Sequence, residues 1–426
     1  TYIAPSTIPS ETANSMQVMK VCQAFTHLGH EVELVVAGTP FNDFQTLKSH
    51  YGLNTEFKIT WLPFIPALRK IDFAIRSVAL AKMDHSDLIY TRLIRVAELA
   101  LRAGLPVILE MHDVPTGRLG PKLYQRYLRL RGRKMTVFIT TALKALIESK
   151  LKVHHIDGEI KISPDGVDLE RFQKLPGAAE ARKMLNLPER FTAVYSGGFY
   201  PGRGLEILLD LAAAFPSIQF VCVGGKSQDI QEWQDKAATM HLKNLILTGF
   251  IANEKLPLYQ ACADVLLMPY RKQVAGSSGG DIANVTSPMK VFEYMACGRA
   301  ILCSDLPVLH EVLNLGPDLR DDRSGLEVVV ELRLEVGVRH PVDLALLQVV
   351  GEVGVDRFVL ALVDLRPSQH DLDLRQAAQA NLERPTLLVD THHLRRLLVL
   401  RRLRVQRQIH TDRQLVAVPL TDRRAV

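Results

Sequence analysis

Residues 287–311 have the sequence SPMKVFEYMACGRAILCSDLPVLHE, which predicts a helix followed directly by a strand. Ser287 and Pro288 are typical of a helix start, because a hydroxyl can cap free backbone amides and proline favours the first helical position. Gly298 predicts a left-handed end to the helix. A helix N-terminus that faces a cleft is a phosphate site, and Glu293 lies where it could accept hydrogen bonds from a ribose. An ordinary capped helix before a strand explains the same pattern.

The segments on the N-terminal side of this stretch alternate between short β-branched runs and amphipathic helices. This alternation is typical of parallel sheets with helices on both faces. The length accommodates two such sheets, so we predict an α/β fold with two Rossmann-like domains, residues 1–165 and 166–315. The boundary falls at the turn formed by residues 163–168, which a polar stretch follows.

The composition excludes several classes of protein. A formal net charge of +6 over 426 residues is too small and too dispersed to predict a nucleic-acid partner, although it favours anionic substrates or acidic lipid. The five cysteines form no CxxC pair and lie in apolar stretches, which predicts reduced core residues and no zinc site. No apolar run approaches the ~20 residues of a membrane span, and no signal peptide is recognisable. We therefore expect a cytoplasmic protein.

Residues 316–426 differ in kind from the rest of the chain. They contain 17 Arg and no Lys, whereas 16 Arg and 19 Lys precede them, and Leu and Val together account for 40 of these residues. Such an abrupt Leu/Val/Arg-rich composition predicts a segment translated in a wrong reading frame. A divergent Arg-rich appendage is the alternative, and no function is derived from this segment.

A second motif that could carry chemistry is residues 195–206, YSGGFYPGRGLE. A predicted strand ends in Gly197 and Gly198, and a helix is predicted to begin near Arg203. Glycines allow a ligand to approach the backbone closely, and a guanidinium can neutralise a diphosphate. Gly224 ends another predicted strand in the same way. A solvated surface charge is the ordinary alternative for a single arginine at a helix start.

Four motifs, in order along the chain, together resemble the family 4 glycosyltransferases, the large retaining GT-B group also called group 1. They are residues 110–112, 165–168, 197–203 and 287–293. The resemblance ends at about residue 315. It implies an acceptor domain followed by a nucleotide-sugar donor domain that is incomplete at its C-terminal end, with the two domains facing a cleft.

The implied reaction moves a sugar from a nucleotide-diphosphate sugar to an acceptor hydroxyl with retention at the anomeric carbon. The expected partners are the nucleotide sugar and a carbohydrate or lipid-linked acceptor, as in polysaccharide, glycolipid or cell-envelope glycan synthesis. Arg203 and the helix dipole at Pro288 would stabilise the leaving diphosphate. The resemblance therefore implies neither a metal nor a cofactor.

The donor site implied by the resemblance places the base near Phe250 and Ile251, the ribose on Glu293 and the diphosphate on Arg203. The complete set of predicted donor-binding residues is Gly197, Gly198, Arg203, Gly224, Phe250, Ile251, Ser287, Pro288, Met289, Lys290 and Glu293. Two positions depart from the family pattern. Gly198 occupies the first basic position of the diphosphate loop, and Val285 replaces the earlier of two glutamates, for which Asp281 is a speculative substitute.

His112 closes a predicted strand and resembles the cleft histidine of the family, which contacts the donor sugar. With Arg203 and Glu293 it forms the predicted catalytic set. The predicted acceptor side comprises Asn14, Ser15, Tyr90 and Arg92. A strand-end histidine bonded to the backbone is the alternative for His112, and a helix cap is the preferred interpretation of Ser15.

Two alternatives to this function, and one additional property, stay open at this point. A non-hydrolysing nucleotide-sugar epimerase shares the GT-B architecture, and an inactive, truncated homologue would only bind nucleotide. Two basic amphipathic stretches, residues 61–83 and 122–134, allow a peripheral contact at the inner face of a membrane. Core-facing stripes with solvated charges are the simpler explanation of those two stretches.

Overall fold

The computed structural model describes residues 1–65, 71–275 and 281–313, together with the backbone of residues 328–331 and 358–361. These residues form two seven-stranded sheets with helices packed on them. The strands up to residue 162 belong to one sheet, and those from residue 192 onward belong to the other. The predicted α/β class is confirmed. The predicted reading-frame change concerns residues that, except for those two short backbone segments, lie outside the described part of the chain.

The first sheet is entirely parallel and has the order β3-β2-β1-β4-β5-β6-β7. Its strands are β1 (Tyr2–Ala4), β2 (Glu33–Ala37), β3 (Lys58–Leu62), β4 (Ile89–Thr91), β5 (Val107–Met111), β6 (Lys134–Phe138) and β7 (Ile160–Ile162). Its helices are α1 (Ala13–His27), α2 (Phe44–Tyr51), α3 (Ile71–Met83), α4 (Ile94–Arg102), α5 (Gly120–Arg129) and α6 (Thr141–Leu151). The strand order reverses direction between β1 and β4, and open α/β sheets form a ligand crevice at such a point.

The second sheet has the order β10-β9-β8-β11-β12-β14-β13. Its strands are β8 (Thr192–Ser196), β9 (Gln219–Val223), β10 (Leu245–Gly249), β11 (Val265–Met268), β12 (Ala300–Ser304), β13 (Val328–Glu331) and β14 (Phe358–Ala361). Its helices are α7 (Ala178–Met184), α8 (Leu205–Ala214), α9 (Ser227–Thr239), α10 (Leu256–Ala261), α11 (Met289–Cys297) and α12 (His310–Leu313). Only the pair of β12 and β14 is antiparallel among the described strands.

Each sheet separates two apolar layers, because successive side chains of a strand point to opposite faces. In the first sheet, Leu34 and Val36 pack with Met19 of α1, whereas Val35 belongs to the layer on the other face. All five cysteines are buried and form no disulfide, as their apolar surroundings predicted. Among the described residues, no helix is long and apolar enough to cross a bilayer.

The two sheets are joined by direct hydrogen bonds on both sides of the space between them. The Glu311 carboxylate accepts from the backbone amides of Thr141 and Ala142 at 2.7 and 2.9 Å, and it thereby caps the first turn of α6. On another side, the amide of Asn253 donates to the carbonyl of His50 at 2.9 Å. These contacts set the carboxyl ends of the two sheets face to face.

Candidate active site

A cleft of about 340 Å³ lies between the two sheets and is lined by both of them. Fourteen of the predicted site residues line it: Asn14, Arg92, His112, Gly197, Gly198, Arg203, Gly224, Phe250, Ile251, Ser287, Pro288, Met289, Lys290 and Glu293. The other two, Ser15 and Tyr90, are not part of its lining. Residues that are far apart in sequence therefore share one space, since the strands that carry them end at the same edge.

The floor of the cleft on the second sheet is made of backbone. Gly197 has φ +142° and Gly224 has φ +120°, which are conformations that side-chain-bearing residues rarely adopt. A Cβ added to Gly224 would overlap the carbonyl oxygen of Gly197. The ends of β8 and β9 can approach this closely only because Gly224 lacks a side chain, whereas a Cβ on Gly197 would meet the side chain of Lys290.

Arg203 is held in the cleft by the residues around it. Its guanidinium lies over the Tyr270 ring, 4.6 Å from the ring centroid, and donates a hydrogen bond to the Tyr270 hydroxyl. A Cβ on Gly202 or Gly204 would overlap neighbouring backbone atoms, so the loop that carries Arg203 packs closely on the chain beneath it. Helix α8 begins at Leu205, two residues after the predicted position.

Helix α11 starts differently from the prediction. Pro288 is the N-cap rather than the first helical residue, and no side chain caps the helix. The Ser287 hydroxyl instead accepts from the amide of Asp165 at 2.9 Å, because the turn before the helix packs against the connection between the two sheets. Met289 and Lys290, the first residues of α11, line the cleft, so its uncapped N-terminus faces this space. Gly298 ends the helix at φ +65°, as predicted.

The side-chain nitrogen of Lys290 is buried at this N-terminus, although the residue as a whole is only partly buried. Its Nζ lies 3.9 Å from the centroid of the Tyr195 ring and 5.2 Å from that of Tyr270. This nitrogen has no hydrogen-bond partner among the described residues. Burial, and then the positive charge of Arg203, lower the pKa of Lys290 well below its usual value.

Glu293 lies further along α11 and is buried at 8% exposure. Its Oε2 accepts from Nε2 of Gln260 at 2.9 Å, and the same nitrogen donates to the Ser196 hydroxyl at 3.1 Å. These bonds fix the carboxylate in the wall of the cleft, where it can accept hydrogen bonds from a ligand hydroxyl.

The two positions that depart from the family pattern have structural explanations. Val285 is buried in the apolar layer of the first sheet, and its carbonyl accepts from the Thr140 hydroxyl at 3.1 Å. Asp281 accepts from the amides of Val274 and Ala283, both at 3.0 Å, and it does not line the cleft. The speculative role of Asp281 as a substitute carboxylate is therefore unsupported, because its side chain closes its own loop.

The first sheet contributes a charged group at the end of β5. Oε2 of Glu110 lies 3.2 Å from Nε of Arg92 and 3.1 Å from Nε2 of His112. Burial acts to raise the pKa of Glu110, but the hydrogen bond and charge of His112 and the charge of Arg92 prevail, and its pKa falls to about 2. Burial and Arg92 lower the pKa of His112, so its imidazole is neutral at pH 7.

Sequence reasoning missed an acidic residue of this site. Asp165 follows β7 and lines the cleft, and burial raises its pKa to about 7, with Glu110 adding to the effect and Arg92 opposing it. Its position after the carboxyl end of a strand is a signal for ligand contact, but sequence reasoning assigned this turn only to the boundary between the two domains. Other lining residues not predicted include Asp113, Gly225, Lys226, Asn253 and Tyr270.

Two predicted acceptor residues have different roles. The Ser15 hydroxyl is fully buried and donates to the carbonyl of Ser10 at 2.7 Å, while the Ser15 amide donates to the capping hydroxyl of Thr12. Tyr90 packs edge-on against Tyr2 and Phe25, at ring-centroid distances of 4.9 and 5.1 Å. Ser15 thus stabilises the start of α1 from within the helix, where Thr12 rather than Ser15 is the N-cap, and Tyr90 packs against the core.

Comparison with known proteins agrees with this geometry. A family model described as "Glycosyl transferases group 1" matches residues 190–331. This match covers a third of the chain, so residues 190–331 are similar to the group 1 glycosyltransferases. The match extends 16 residues beyond residue 315, where the resemblance was expected to end, and it includes β13.

Curated relatives align with part of the chain. A GDP-mannose-dependent alpha-(1-6)-phosphatidylinositol monomannoside mannosyltransferase of Mycobacterium tuberculosis is 35% identical over 122 residues, 26% of this chain and 31% of the relative. A putative teichuronic acid biosynthesis glycosyltransferase of Bacillus subtilis is 25% identical over 166 residues, 38% of this chain and 37% of the relative. The chain thus spans about a third of the length of these relatives.

Solved structures show the same fold over most of the chain. Anabaena HepE in complex with UDP aligns with a TM-score of 0.52 at 17% identity and covers 73% of this chain and 81% of that one. A glycosyltransferase from Rickettsia africae aligns with a TM-score of 0.56 at 12% identity and covers 74% and 81%. The predicted GT-B architecture is confirmed.

Proposed function

We propose that this protein is a retaining glycosyltransferase that moves a sugar from a nucleotide-diphosphate sugar to an acceptor hydroxyl. One observation carries the proposal. The cleft has three basic side chains, those of Arg203, Lys226 and Lys290, and an uncapped helix N-terminus on one wall, and a neutral imidazole beside a carboxylate on the other. An anionic leaving group and a sugar need these two kinds of surroundings.

The donor-side residues offer separate places for the base, the ribose and the diphosphate of the nucleotide. Phe250 and Ile251 offer backbone and apolar surface for the base, and Glu293 offers a fixed carboxylate for the ribose hydroxyls. The glycine turns beside Arg203 allow a diphosphate to approach the backbone. HepE was crystallised with UDP and with UDP-glucose, which supports a nucleotide ligand for this fold.

The chemical step requires stabilisation of charge as the diphosphate leaves the anomeric carbon. Arg203 and the dipole of α11 would meet that charge without reorganisation, so we propose that no metal is required. His112, held by Glu110, would bind a hydroxyl of the transferred sugar. Retention follows when the acceptor hydroxyl attacks from the face that the diphosphate leaves, and a diphosphate oxygen then takes its proton.

We propose a role in glycan or glycolipid synthesis, because the curated relatives include a phosphatidylinositol monomannoside mannosyltransferase and a teichuronic acid biosynthesis glycosyltransferase. Asn14 and Arg92 line the acceptor side and are bonded to each other, with Nη1 of Arg92 donating to Oδ1 of Asn14 at 3.2 Å. A polar, partly basic wall of this kind suits a hydroxyl-rich acceptor.

A peripheral contact with lipid at the inner face of a membrane remains part of the proposal, in a protein that we place in the cytoplasm. Ile65, Ile75 and Met83 are 55%, 54% and 74% exposed around α3, beside the basic side chains of that helix. In the second basic stretch, Tyr124 and Tyr127 are fully buried, which fits core-facing stripes there. Residues 66–70 lie outside the described part of the chain.

The test is a donor screen of the full chain with UDP- and GDP-sugars, with oligosaccharide and glycolipid acceptors, in the presence and absence of EDTA. We expect one donor to be consumed only with acceptor, in both conditions, and NMR of the product to show an unchanged anomeric configuration. An epimerised nucleotide sugar formed without acceptor would instead identify an epimerase. Nucleotide binding without turnover would identify an inactive homologue.

A further inference from the structure

The side-chain amine of Lys290 is buried without a polar partner among the described residues. Its neighbours are the faces of two tyrosine rings. A buried polar group without a partner destabilises a folded protein. Methionine would fill the same space without that cost. The position of this nitrogen therefore points to a ligand.

The amine lies at the glycine turn of β8. A Cβ added to Gly197 would come within 2.7 Å of Nζ of Lys290, so the nitrogen occupies the space directly beside the bare backbone. Lys290 is also the second residue of the uncapped helix α11, and both Gly197 and Lys290 line the cleft. An anion at the helix N-terminus would meet the free amides and this nitrogen together.

We propose that Lys290 is a proton-coupled ligand of the diphosphate, which takes up a proton when the diphosphate binds and forms an ion pair with it. This inference rests on the proposed function, since it assigns a role within the same donor site. It differs from the role of Arg203, because a guanidinium stays charged with or without ligand. No covalent bond forms or breaks. The proton comes from solvent and remains on Nζ while the anion is bound.

On balance, the surroundings of Lys290 disfavour the ammonium form of its amine. Arg203 opposes a second positive charge, and burial removes the hydration that an ammonium needs. Glu293 favours the ammonium, but its carboxylate is already bonded to Gln260. The thiol of Cys222 is protonated, since burial raises its pKa to about 12. The phenols of Tyr195 and Tyr270 also have raised pKa values because of burial, so they supply no negative charge.

The sign of the pH dependence follows from this arrangement. On this proposal the amine is neutral in the free protein at pH 8 and an ammonium in the complex, so binding consumes a proton. The affinity for a nucleoside diphosphate must then fall as pH rises, by up to tenfold for each pH unit when one whole proton is taken up. The phosphates of the ligand do not cause this dependence, because phosphate groups with a pKa near 6 are already deprotonated at pH 8.

The test is isothermal titration calorimetry of the full chain with UDP and GDP at pH 8, in buffers of different ionisation enthalpy. We expect uptake of about one proton per bound diphosphate by the unsubstituted protein. Lys290→Met removes the titrating group, and its proton uptake should disappear while its affinity falls by roughly ten- to a hundredfold. Uridine and guanosine, which lack phosphates, should bind without proton uptake.

Controls separate this role from a structural one. Lys290→Met should keep or raise the unfolding temperature, since a buried amine is replaced by an apolar chain of similar length, and Lys290→Gln serves if the first variant does not fold. Lys290→Arg should bind without proton uptake. Binding by the unsubstituted protein without proton uptake, or unchanged uptake in Lys290→Met, would overturn this inference alone. No binding of either diphosphate would overturn the proposed function together with it.

Discussion

At the residue scale, the cleft holds its charges by burial and by fixed partners. The carboxylate of Glu110 lies between Arg92 and His112. Burial lowers the pKa of Lys290 and raises that of Asp165, and both shifts favour the uncharged form of the group. Perturbed pKa values of this kind cluster at functional sites. Burial of Lys290 and Asp165 costs stability, and both residues line the cleft in which we propose that the ligand binds.

Arg203→Met should weaken use of a nucleotide sugar by at least ~1–3 kcal/mol in kcat/KM, because a charged hydrogen-bond donor to the leaving group is lost. The measurement is steady-state kinetics with the donor found in the screen. Arg271→Met is the matched control, since that guanidinium is 53% exposed and lies 3.8 Å from Glu206, outside the cleft lining. Equal effects of the two substitutions would place the donor site elsewhere.

Glu293→Gln should raise the KM for the nucleotide sugar, with a loss of about 1–3 kcal/mol, because an amide offers a weaker acceptor to the ribose than a carboxylate. Binding of a nucleoside diphosphate and of its 2′,3′-dideoxy counterpart checks the cause. Their difference in affinity in the unsubstituted protein should shrink in Glu293→Gln. An unchanged difference would show that the carboxylate does not contact the ribose.

Asp165 predicts how stability varies with pH. Its folded pKa of about 7 lies above the ordinary value of 3.8, so the folded state binds more protons than the unfolded state between those two values. The contribution of this group is therefore fully present below its unfolded pKa and is lost as pH rises through its folded pKa. Asp165→Asn should flatten the fall in unfolding temperature from pH 4 to pH 7, and an undiminished slope would contradict it.

At the element scale, the glycine turns after β8 and β9 form the floor on which we propose that the diphosphate lies, and the end of β10 supports them. Gly197, Gly224 and Gly249 all have positive φ, and the amide of Gly224 donates to the carbonyl of Gly249 at 2.9 Å. The N-terminus of α11 meets this floor from the side. Neither element alone would form an anion site. The glycine floor carries no charge, and the helix N-terminus by itself offers no backbone that a diphosphate could approach closely.

Gly224→Ala should lower the free energy of unfolding by at least ~1–3 kcal/mol, since the new Cβ meets the Gly197 carbonyl and the backbone has positive φ. Chemical denaturation measures this change. Gly166→Ala is the control, because nothing lies within 4 Å of the added Cβ and its φ is not positive. A similar cost at both positions would contradict the close approach of β8 and β9.

At the scale of the whole molecule, the site exists only because the two sheets face each other. The His50 ring stacks on Phe250 at 5.0 Å, and the Ser49 hydroxyl donates to Glu254 at 2.7 Å, so α2 is joined to the wall of the cleft where the base is proposed to bind. Glu311 makes a second junction by capping α6. Both junctions join residues more than 150 positions apart.

Glu311→Ala should lower the free energy of unfolding by about 0.5–2 kcal/mol, because two amides of α6 lose their cap and the junction between the sheets is weakened. Thermal and denaturant unfolding measure the change, with Glu31→Ala as the control at an exposed position. A loss in the control as large as that in Glu311→Ala would mean that the junction contributes nothing specific.

The family resemblance supplied fourteen of the residues that line the cleft. Local patterns were enough to predict the α/β class, the glycine-ended strands and the cap at Gly298. These features depend on backbone preferences and on the rule that parallel strands deliver their carboxyl ends to one edge, both of which act over short stretches of chain. The same patterns assigned Ser15 and Tyr90 to the acceptor side and gave Ser287 a capping role. All three side chains are engaged by neighbours that local sequence does not reveal.

Long-range packing alone established the partners of the charged groups. Burial raises the pKa of Asp165, with Arg92 opposing and Glu110 adding to the effect. The amine of Lys290 lies against the rings of Tyr195 and Tyr270, without a hydrogen-bond partner among the described residues. Desolvation and Coulomb interactions depend on distance in space rather than on separation along the chain. The titration behaviour of this cleft is therefore a property of the folded molecule.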